Sequence, residues 1–174
     1  MRAQDGPAGP ATGSRLLDPE ARLQHARDVA WRALNRRDRT VTELGRIMAD
    51  KRVEPELIQR VVEEIAEQGY LDDARYARAF AEDRRRLDAW GAERIERRLL
   101  ALGVGREHID AALAEQDPDT ERDAALAYLR RRAPAPATTP QERDRQLRLL
   151  LRRGYAGDLA YEVVRRHAGA TVED

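Results

Sequence analysis

The sequence predicts an all-α protein made of three tandem three-helix repeats, each similar to a helix-turn-helix unit, that form an elongated, curved array. Three observations predict this fold. Apolar residues recur three and four positions apart, the sequence repeats with a period of 51 residues, and glycine or proline stands where each pattern ends. Residues at these spacings share one helix face, and glycine and proline end helices.

The period is read from apolar positions. A shift of 51 residues places Leu44 on Ile95, and a second shift places Leu99 on Leu150. The last two helices of the central unit therefore occur three times, whereas the first helix of each unit matches less well. A fixed period with an apolar face in each copy is typical of repeat arrays whose neighbours cover one another.

Composition supports an extended helical protein. The 174 residues are 41% apolar and 37% charged, with one phenylalanine and two tryptophans. Mean hydropathy is −0.76. Such thin cores make docking between repeats important for stability. We expect Trp31 and Trp90 to lie in cores, because aromatic residues are scarce.

The formal net charge is zero, but the charges are segregated. Residues 54–73 hold seven acids and one arginine, and residues 119–168 hold eleven arginines and seven acids. Such a dipolar chain suits a charged partner better than its net charge suggests.

The first repeat is predicted at 16–70, after a disordered Gly/Pro/Ala-rich tail at 1–15. Asp18-Pro19 opens its first helix, which extends to about Arg37. Thr40 and Glu43 fit a capping box for the second helix, which ends near Lys51. The third begins at Pro55 and stops at Gly69.

The second repeat is predicted at 71–117 and contains the clearest pattern. Asp72 is placed to cap its first helix, and the apolar pattern resets at Gly91 and Gly103. Glycine most easily ends a helix with a positive φ. We therefore expect three helices between Asp72 and about Leu113.

The third repeat is predicted at 118–168, with a frayed end at 169–174. Its first helix is expected at 121–133, and the Pro/Ala segment 133–140 cannot be helical. Thr139 and Glu142 fit another capping box, and Gly154 ends that helix.

An enzyme is not expected. The chain has no cysteine, its three histidines are far apart, and no Gly-rich phosphate loop or nucleophile elbow is present. We predict no catalytic residue, no metal site and no cofactor. No apolar run is long enough to span a membrane, and no secretory signal is visible, so we expect a cytoplasmic protein.

The segment GYLDDARYARAF at 69–80, followed by a basic stretch and by GAERI and the G-V pair up to residue 104, resembles the RecX family of regulatory proteins. TVTEL at 40–44 and the helix at 55–69 resemble that family's first unit. The resemblance covers roughly residues 20–168, although the 133–140 insert departs from the short connection expected there.

The resemblance implies three tandem three-helix repeats and a regulatory function. A monomer of this family would bind the filament of RecA recombinase, and the DNA within it. It would modulate, and mainly inhibit, the ATPase, strand-exchange and coprotease activities of RecA in recombination, DNA repair and the SOS response.

Arginine clusters are the candidates for contact with RecA or DNA, because arginine binds carboxylates and phosphates. An alternative is that they offset helix dipoles, since the clusters lie near helix C-termini. The candidates are Arg84, Arg85, Arg86, Arg94, Arg97, Arg98, Arg130, Arg131, Arg132, Arg148, Arg152 and Arg153. A structural role is expected for the block formed by Gly69, Tyr70, Leu71, Asp72, Asp73, Tyr76, Gly91 and Gly103.

The main alternative is a helix-turn-helix protein that acts directly on DNA. Gly103 would lie in the turn, with Arg106 and His108 at the start of a recognition helix. Glu107 and Asp110 argue against it, because they would face phosphates. A helical scaffold protein is the third option.

Overall fold

The computed structural model describes residues 18–169, which form nine α-helices and no strand. The predicted fold class is therefore confirmed. The predicted tail at 1–15, and residues 170–174 of the predicted frayed end, lie outside the described residues. The helices are α1 (Pro19–Leu34), α2 (Val41–Asp50), α3 (Pro55–Glu67), α4 (Asp73–Asp88), α5 (Ala92–Ala101), α6 (Arg106–Ala114), α7 (Pro118–Arg132), α8 (Pro140–Arg153) and α9 (Gly157–Gly169).

Both predicted capping boxes form. In the first, the Thr40 hydroxyl accepts from the Glu43 amide at 3.1 Å, and the Glu43 carboxylate accepts from the Thr40 amide at 3.4 Å. The second joins Thr139 and Glu142 in the same way. Each box satisfies end amides that a helix cannot satisfy internally.

Two helix boundaries and one helix cap differ in detail from the predictions. Asp18 stands at the N-cap of α1 but makes no side-chain capping bond. The same helix ends at Leu34 and not at Arg37. Helix α7 begins at Pro118, three residues before the predicted start, because Asp117 accepts from the Thr120 amide and caps it. Proline in the first turn pre-sets the helical φ.

Each group of three helices encloses its own hydrophobic cluster. Leu44 and Ile65 belong to the first, Ile95 and Leu99 to the second, and Leu150 to the third. Apolar side chains at helical spacing are therefore buried as the periodicity predicted. The repeat boundaries remain predictions, with one correction concerning the side chain that follows the first boundary.

The predicted boundary after Tyr70 assigns Leu71 to the second repeat, but Leu71 packs in the first cluster. The reason is the turn at Gly69, which has φ of +77° and directs the chain back across α3. The first core is thus closed by the segment that enters α4.

Helix α5 docks end to end on α2. The buried Thr40 hydroxyl donates to the Leu102 carbonyl at 2.7 Å, and the Thr42 hydroxyl donates to the Gly103 carbonyl at 3.1 Å. These carbonyls directly follow the last residue of α5, where no intrahelical amide is available. The carbonyls at the C-terminal end of α5 therefore accept hydrogen bonds from hydroxyl groups at the N-terminal end of α2.

Helix α8 docks on α5 with the same register. The Gly91 amide donates to the Arg153 carbonyl at 2.9 Å, and the Glu93 amide donates to the Gly154 carbonyl at 3.1 Å. All four residues lie 51 positions after their counterparts in the other junction. Backbone amides here replace the threonine hydroxyls. The positive φ expected at Gly91 is found instead at Ala89, which ends α4 with φ of 52°, whereas Gly91 has φ of −80° and stands at the N-cap of α5.

The matching junctions mean that consecutive repeats dock through equivalent residues. The helices α8, α5 and α2 follow one another head to tail in a single track. At 1.5 Å per residue these three helices contribute roughly 50 Å of helix. The repeats thus form a helical array, as predicted.

The glycines at the two junctions are required by close approach. Gly103 and Gly154 have φ of +81° and +84°. A Cβ on Gly103 would lie 2.4 Å from Thr42, and one on Gly154 would lie 2.3 Å from the Cβ of Arg94. The equivalent position in the first repeat is Arg52, exposed and also left-handed, with φ of 61°. A side chain is tolerated there because no neighbouring repeat among residues 18–169 docks on that end.

Within residues 18–169, no helix is both long enough and apolar enough to cross a lipid bilayer.

Candidate functional site

The second and third repeats meet in an open groove of about 1020 Å³. It brings together the predicted arginines of α5 and the last two arginines of α8. No carboxylate lines it. The lining residues are Trp90, Arg94, Arg97, Arg98, Ala101, Tyr128, Leu149, Arg152 and Arg153.

Helical phase places the α5 arginines on the groove. Ile95 and Leu99 are fully buried in the second core. Arg94, Arg97 and Arg98 lie on the rest of the helix surface, because residues three and four apart share a face. The sequence pattern therefore predicted this basic face correctly, although it did not reveal what lies opposite it.

Trp90 forms one wall of the groove. The guanidinium carbon of Arg94 lies 4.2 Å from the centroid of the Trp90 ring, and its Nη1 donates to the Arg152 carbonyl at 3.0 Å. Trp90 also contacts Phe80 edge to face, with 6.3 Å between ring centroids. It is half-buried, so its predicted core position holds for one side of the ring only. The other side holds an arginine in place by a cation–π contact.

Tyr128 forms the opposite wall. The guanidinium carbon of Arg153 lies 4.9 Å from the Tyr128 ring centroid, and its Nε donates to the Tyr128 hydroxyl at 2.9 Å. Its Nη1 donates to the Asp88 carbonyl at 2.9 Å. Arg94 and Arg153 are thus held in position before any partner binds, which reduces the entropy lost on binding.

The groove arginines are not neutralised within residues 18–169. None of the five forms an ion pair with a carboxylate of that region. Arg97 donates only to the Glu93 carbonyl, at 3.2 Å. Although the formal net charge of the chain is zero, the groove is therefore a concentrated positive surface, which attracts anionic partners.

The predicted cluster at 84–86 is not part of the groove. Arg84 pairs with Asp88, and Arg86 pairs with Asp83. Arg85 is half-buried and donates to the Leu113 carbonyl at 3.2 Å, at the end of α6. Burial lowers the pKa of Arg85 below its usual range. These contacts fit the alternative that the cluster stabilises helix ends.

The remaining predicted arginines are exposed and lie outside the groove lining. Arg131 approaches the Tyr128 ring at 5.8 Å. Arg132 lines a separate cavity of about 460 Å³ beside the Pro/Ala segment. Arg130 and Arg148 form no ion pair within the described region.

The block at 69–76 connects the first two repeats. The Asp72 carboxylate caps α4 by accepting from the Arg75 amide at 2.8 Å. The Asp73 carboxylate accepts from the Val41 amide at 3.0 Å, which joins α4 to the start of α2. Burial raises the pKa of the Asp73 carboxyl, although the Val41 amide acts in the opposite direction.

The aromatic members of the block also make structural contacts. Tyr70 packs edge to face on Trp31 with 4.8 Å between ring centroids, although the tyrosine itself is exposed. Tyr76 stacks on Phe80 at 6.2 Å. Burial, followed by the charge of Glu43, raises the pKa of Tyr76. The contacts are those expected of a structural block.

The start of α6 is poorly suited to reading DNA. Arg106 is engaged in an ion pair with Glu96. The Nε2 of His108 lies 3.6 Å from a Glu107 carboxylate oxygen. Asp110 is exposed on the same helix. A recognition helix needs free donors facing the bases and no acids facing the phosphates.

Sequence reasoning missed Tyr128 and Leu149 as groove residues. Both stand among arginines, at 130–132 and at 148 and 152. An aromatic side chain next to an arginine cluster was therefore an available signal. The juxtaposition of α5 with α7 and α8 was not available, because it depends on the α5–α8 junction.

Comparisons with known proteins agree with this architecture. A family model described as "RecX, second three-helix domain" matches residues 72–113. The chain is 33% identical to the regulatory protein RecX of Thermobifida fusca (strain YX) over 97% of this chain and 91% of the relative. It is 36% identical to that of Cronobacter sakazakii over 82% of this chain and 86% of the relative.

A solved structure has the same fold. The crystal structure of RecX from Lactobacillus salivarius superposes with a TM-score of 0.77, covering 84% of this chain and 96% of the other. Sequence identity is 13%, so this likeness concerns the fold alone.

Proposed function

The chain belongs to the RecX family of regulatory proteins, and on that premise we propose that it binds the filament of RecA recombinase and mainly inhibits it. The affected activities are ATP hydrolysis, strand exchange and coprotease activity. The protein acts by occupying a surface, as a regulator without chemistry of its own.

The observation that carries the proposal is the acid-free groove between the second and third repeats. Its five arginines come from two repeats and have no carboxylate partner within residues 18–169. Charge of one sign in a concave surface raises the rate of encounter with an anionic partner. The groove therefore fits an acidic surface of the filament or the phosphates of its DNA.

The groove arginines differ in whether their hydrogen-bond donors are already engaged. Arg94 and Arg153 are held by aromatic rings and carbonyls, so they define the shape of the site. Arg98 and Arg152 make no side-chain hydrogen bond or ion pair among the described residues, so their donors remain available to a partner. Arginine donors match carboxylates and phosphates in pairs.

The second candidate function is direct binding to DNA. The groove, and not helix α6, would form the DNA-binding surface. Single-stranded nucleic acid is bound by positive grooves that also contain aromatic side chains. Trp90 and Tyr128 line the groove, although each ring already carries an arginine, Arg94 on Trp90 and Arg153 on Tyr128. Binding to naked DNA separates the two candidates.

The decisive assay measures DNA-dependent ATP hydrolysis by RecA as this protein is added, beside binding to the same DNA without RecA. The test variant carries Arg98→Gln and Arg152→Gln. The matched control carries Arg78→Gln and Arg86→Gln, which remove two exposed arginines outside the groove. We expect the test variant to need about tenfold or more protein for the same inhibition, since a hydrogen bond to a charged group contributes roughly 1.5 to 3 kcal/mol.

Three results would contradict the proposal. Failure of the wild-type protein to inhibit RecA would remove the proposed function. Equal potency of the test and control variants would remove the groove from it. Strong, salt-sensitive binding to naked DNA, with no inhibition of RecA, would favour the second candidate.

A further inference from the structure

One exposed arginine occupies the same position in the middle helix of every repeat. Arg46 lies on α2, Arg97 on α5 and Arg148 on α8, each 51 residues after the last. Three residues further on, Leu100 and Leu151 are unusually exposed for leucine, at 40% and 39%. The period of 51 residues therefore applies to exposed positions as well as to the buried apolar ones.

The steps between these arginines are equal because the junctions are equal. Corresponding atoms pair at both junctions, with the Thr42–Gly103 bond matched by the Glu93–Gly154 bond. Counting 1.5 Å per helical residue on each side of the gap gives roughly 20 Å between successive arginines along the track. The arginines therefore recur at roughly equal intervals along the chain of docked helices.

Each arginine and the leucine after it share one helix face, since residues three apart are neighbours on a helix. Acidic residues lie four positions before two of the arginines, at Glu93 and Asp144. Neither forms an ion pair within the described region. The face therefore combines a carboxylate, a guanidinium and an exposed aliphatic side chain.

We infer that this face, formed by Arg46, Arg97 with Leu100, and Arg148 with Leu151, is a docking surface for a protein polymer. We name it the Arg–Leu ladder. The partner surface it fits is a carboxylate beside an apolar recess, repeated at roughly 20 Å. Arginine is enriched at protein interfaces, and the exposed leucines add apolar surface that becomes buried on docking.

A nucleic-acid strand fits the ladder less well than a protein. Phosphates gain nothing from the exposed leucines, and they offer no hydrogen-bond donor to the carboxylates of Glu93 and Asp144, which a protein surface can supply. The ladder is also distinct from the groove: only Arg97 belongs to both, and neither leucine lines the groove. The inference rests on the proposed function, which supplies the filament as the polymer, and it adds a second contact of different chemistry.

The first repeat provides a gain-of-function test. Its residue at the leucine position is Ala49, which is exposed. Placing leucine there completes the third step of the ladder without disturbing a core. We expect the Ala49→Leu variant to bind filaments several-fold more tightly than the wild type, because the added apolar surface becomes buried on docking.

The loss-of-function variant carries Leu100→Gln and Leu151→Gln, and its matched control is Leu87→Gln. Leu87 is 60% exposed on α4, away from the ladder. We expect the double variant to bind RecA filaments about tenfold or more weakly, at both low and high salt, because apolar burial is not screened. The Arg98→Gln and Arg152→Gln groove variant should instead lose most at low salt.

Filament binding is measured by co-sedimentation with RecA assembled on single-stranded DNA, and helix content by circular dichroism. Equal binding by the double variant and Leu87→Gln would overturn the ladder while the proposed function stands. An Ala49→Leu variant no tighter than wild type would overturn its repeated register. Equal losses for filaments and for naked DNA would overturn the protein partner. No filament binding by the wild type would instead remove the proposed function itself.

Discussion

Replacing Gly154 by alanine is expected to uncouple the third repeat from the second. The residue has φ of +84°, and a Cβ would lie 2.5 Å from the Arg94 amide nitrogen and 2.9 Å from its Cα. The obstacle is backbone of the neighbouring helix and not the end of a flexible side chain. The two repeats must therefore separate or the helix end must unwind.

The cost has two parts that the structure allows us to estimate. An alanine in the left-handed region costs about 1 to 2 kcal/mol. Separation also breaks the two junction hydrogen bonds from the Gly91 and Glu93 amides, each with a net value of roughly 0.5 to 1.5 kcal/mol. We expect the free energy of unfolding to fall by about 2 to 5 kcal/mol.

Gly69→Ala is the matched control. Gly69 has φ of +77°, but no atom lies within 4 Å of the position its Cβ would take. Alanine there lowers the free energy of unfolding only through the left-handed conformation, by about 1 to 2 kcal/mol. The difference between the two variants isolates the contribution of the junction.

The assay is equilibrium unfolding in urea, followed by circular dichroism and by tryptophan fluorescence. Trp31 reports on the first core and Trp90 on the groove wall beside the junction. In Gly154→Ala we expect the Trp90 signal of a Trp31→Phe background to change at lower urea than the helix signal. Equal destabilisation by the two alanine variants would refute the argument that the junction requires glycine.

Two further predictions concern backbone strain and pH. Arg52→Gly is expected to raise the free energy of unfolding by about 1 kcal/mol, because φ of 61° is unfavourable for arginine and no repeat docks there; an unchanged urea midpoint would contradict this. Burial, followed by the charge of Glu121, raises the pKa of Tyr155 from 10.0 to about 12. Below pH 10 the raised pKa adds roughly 2 to 3 kcal/mol to the free energy of unfolding. This contribution is lost as the pH rises through the folded-state pKa. Unfolding between pH 9 and 12 measures it, and Tyr155→Phe should lack that alkaline slope.

The charges show where sequence reasoning was sufficient and where it was not. Arg84–Arg86 and Arg94–Arg98 look alike in sequence, as short basic runs on helices. In the structure Arg84 pairs with Asp88 and Arg86 with Asp83, whereas no carboxylate pairs with Arg94 within residues 18–169. Both partners of the first run are close in sequence, so their ion pairs could have been predicted from the i, i+4 and i, i+3 spacings.

The open groove could not be predicted in the same way. Its walls, Trp90 and Tyr128, belong to helices of different repeats that meet only because α8 docks on α5. Nor does the sequence state which side of α5 faces α8. A surface arginine can bind a partner only if no acidic residue from elsewhere in the chain pairs with it. Whether such an acid lies nearby depends on how the repeats are assembled.

The sequence by itself determined the helices, their caps and the faces they bury, because each depends on residues within about four positions of one another. It also carried the period of 51, and with it the helix ends at Gly103 and Gly154. Only the tertiary structure decided which arginines remain unpaired and which helix ends meet. Those outcomes depend on contacts between residues some 60 positions apart, such as Thr40 with Leu102 and Gly91 with Arg153, which local spacing does not specify.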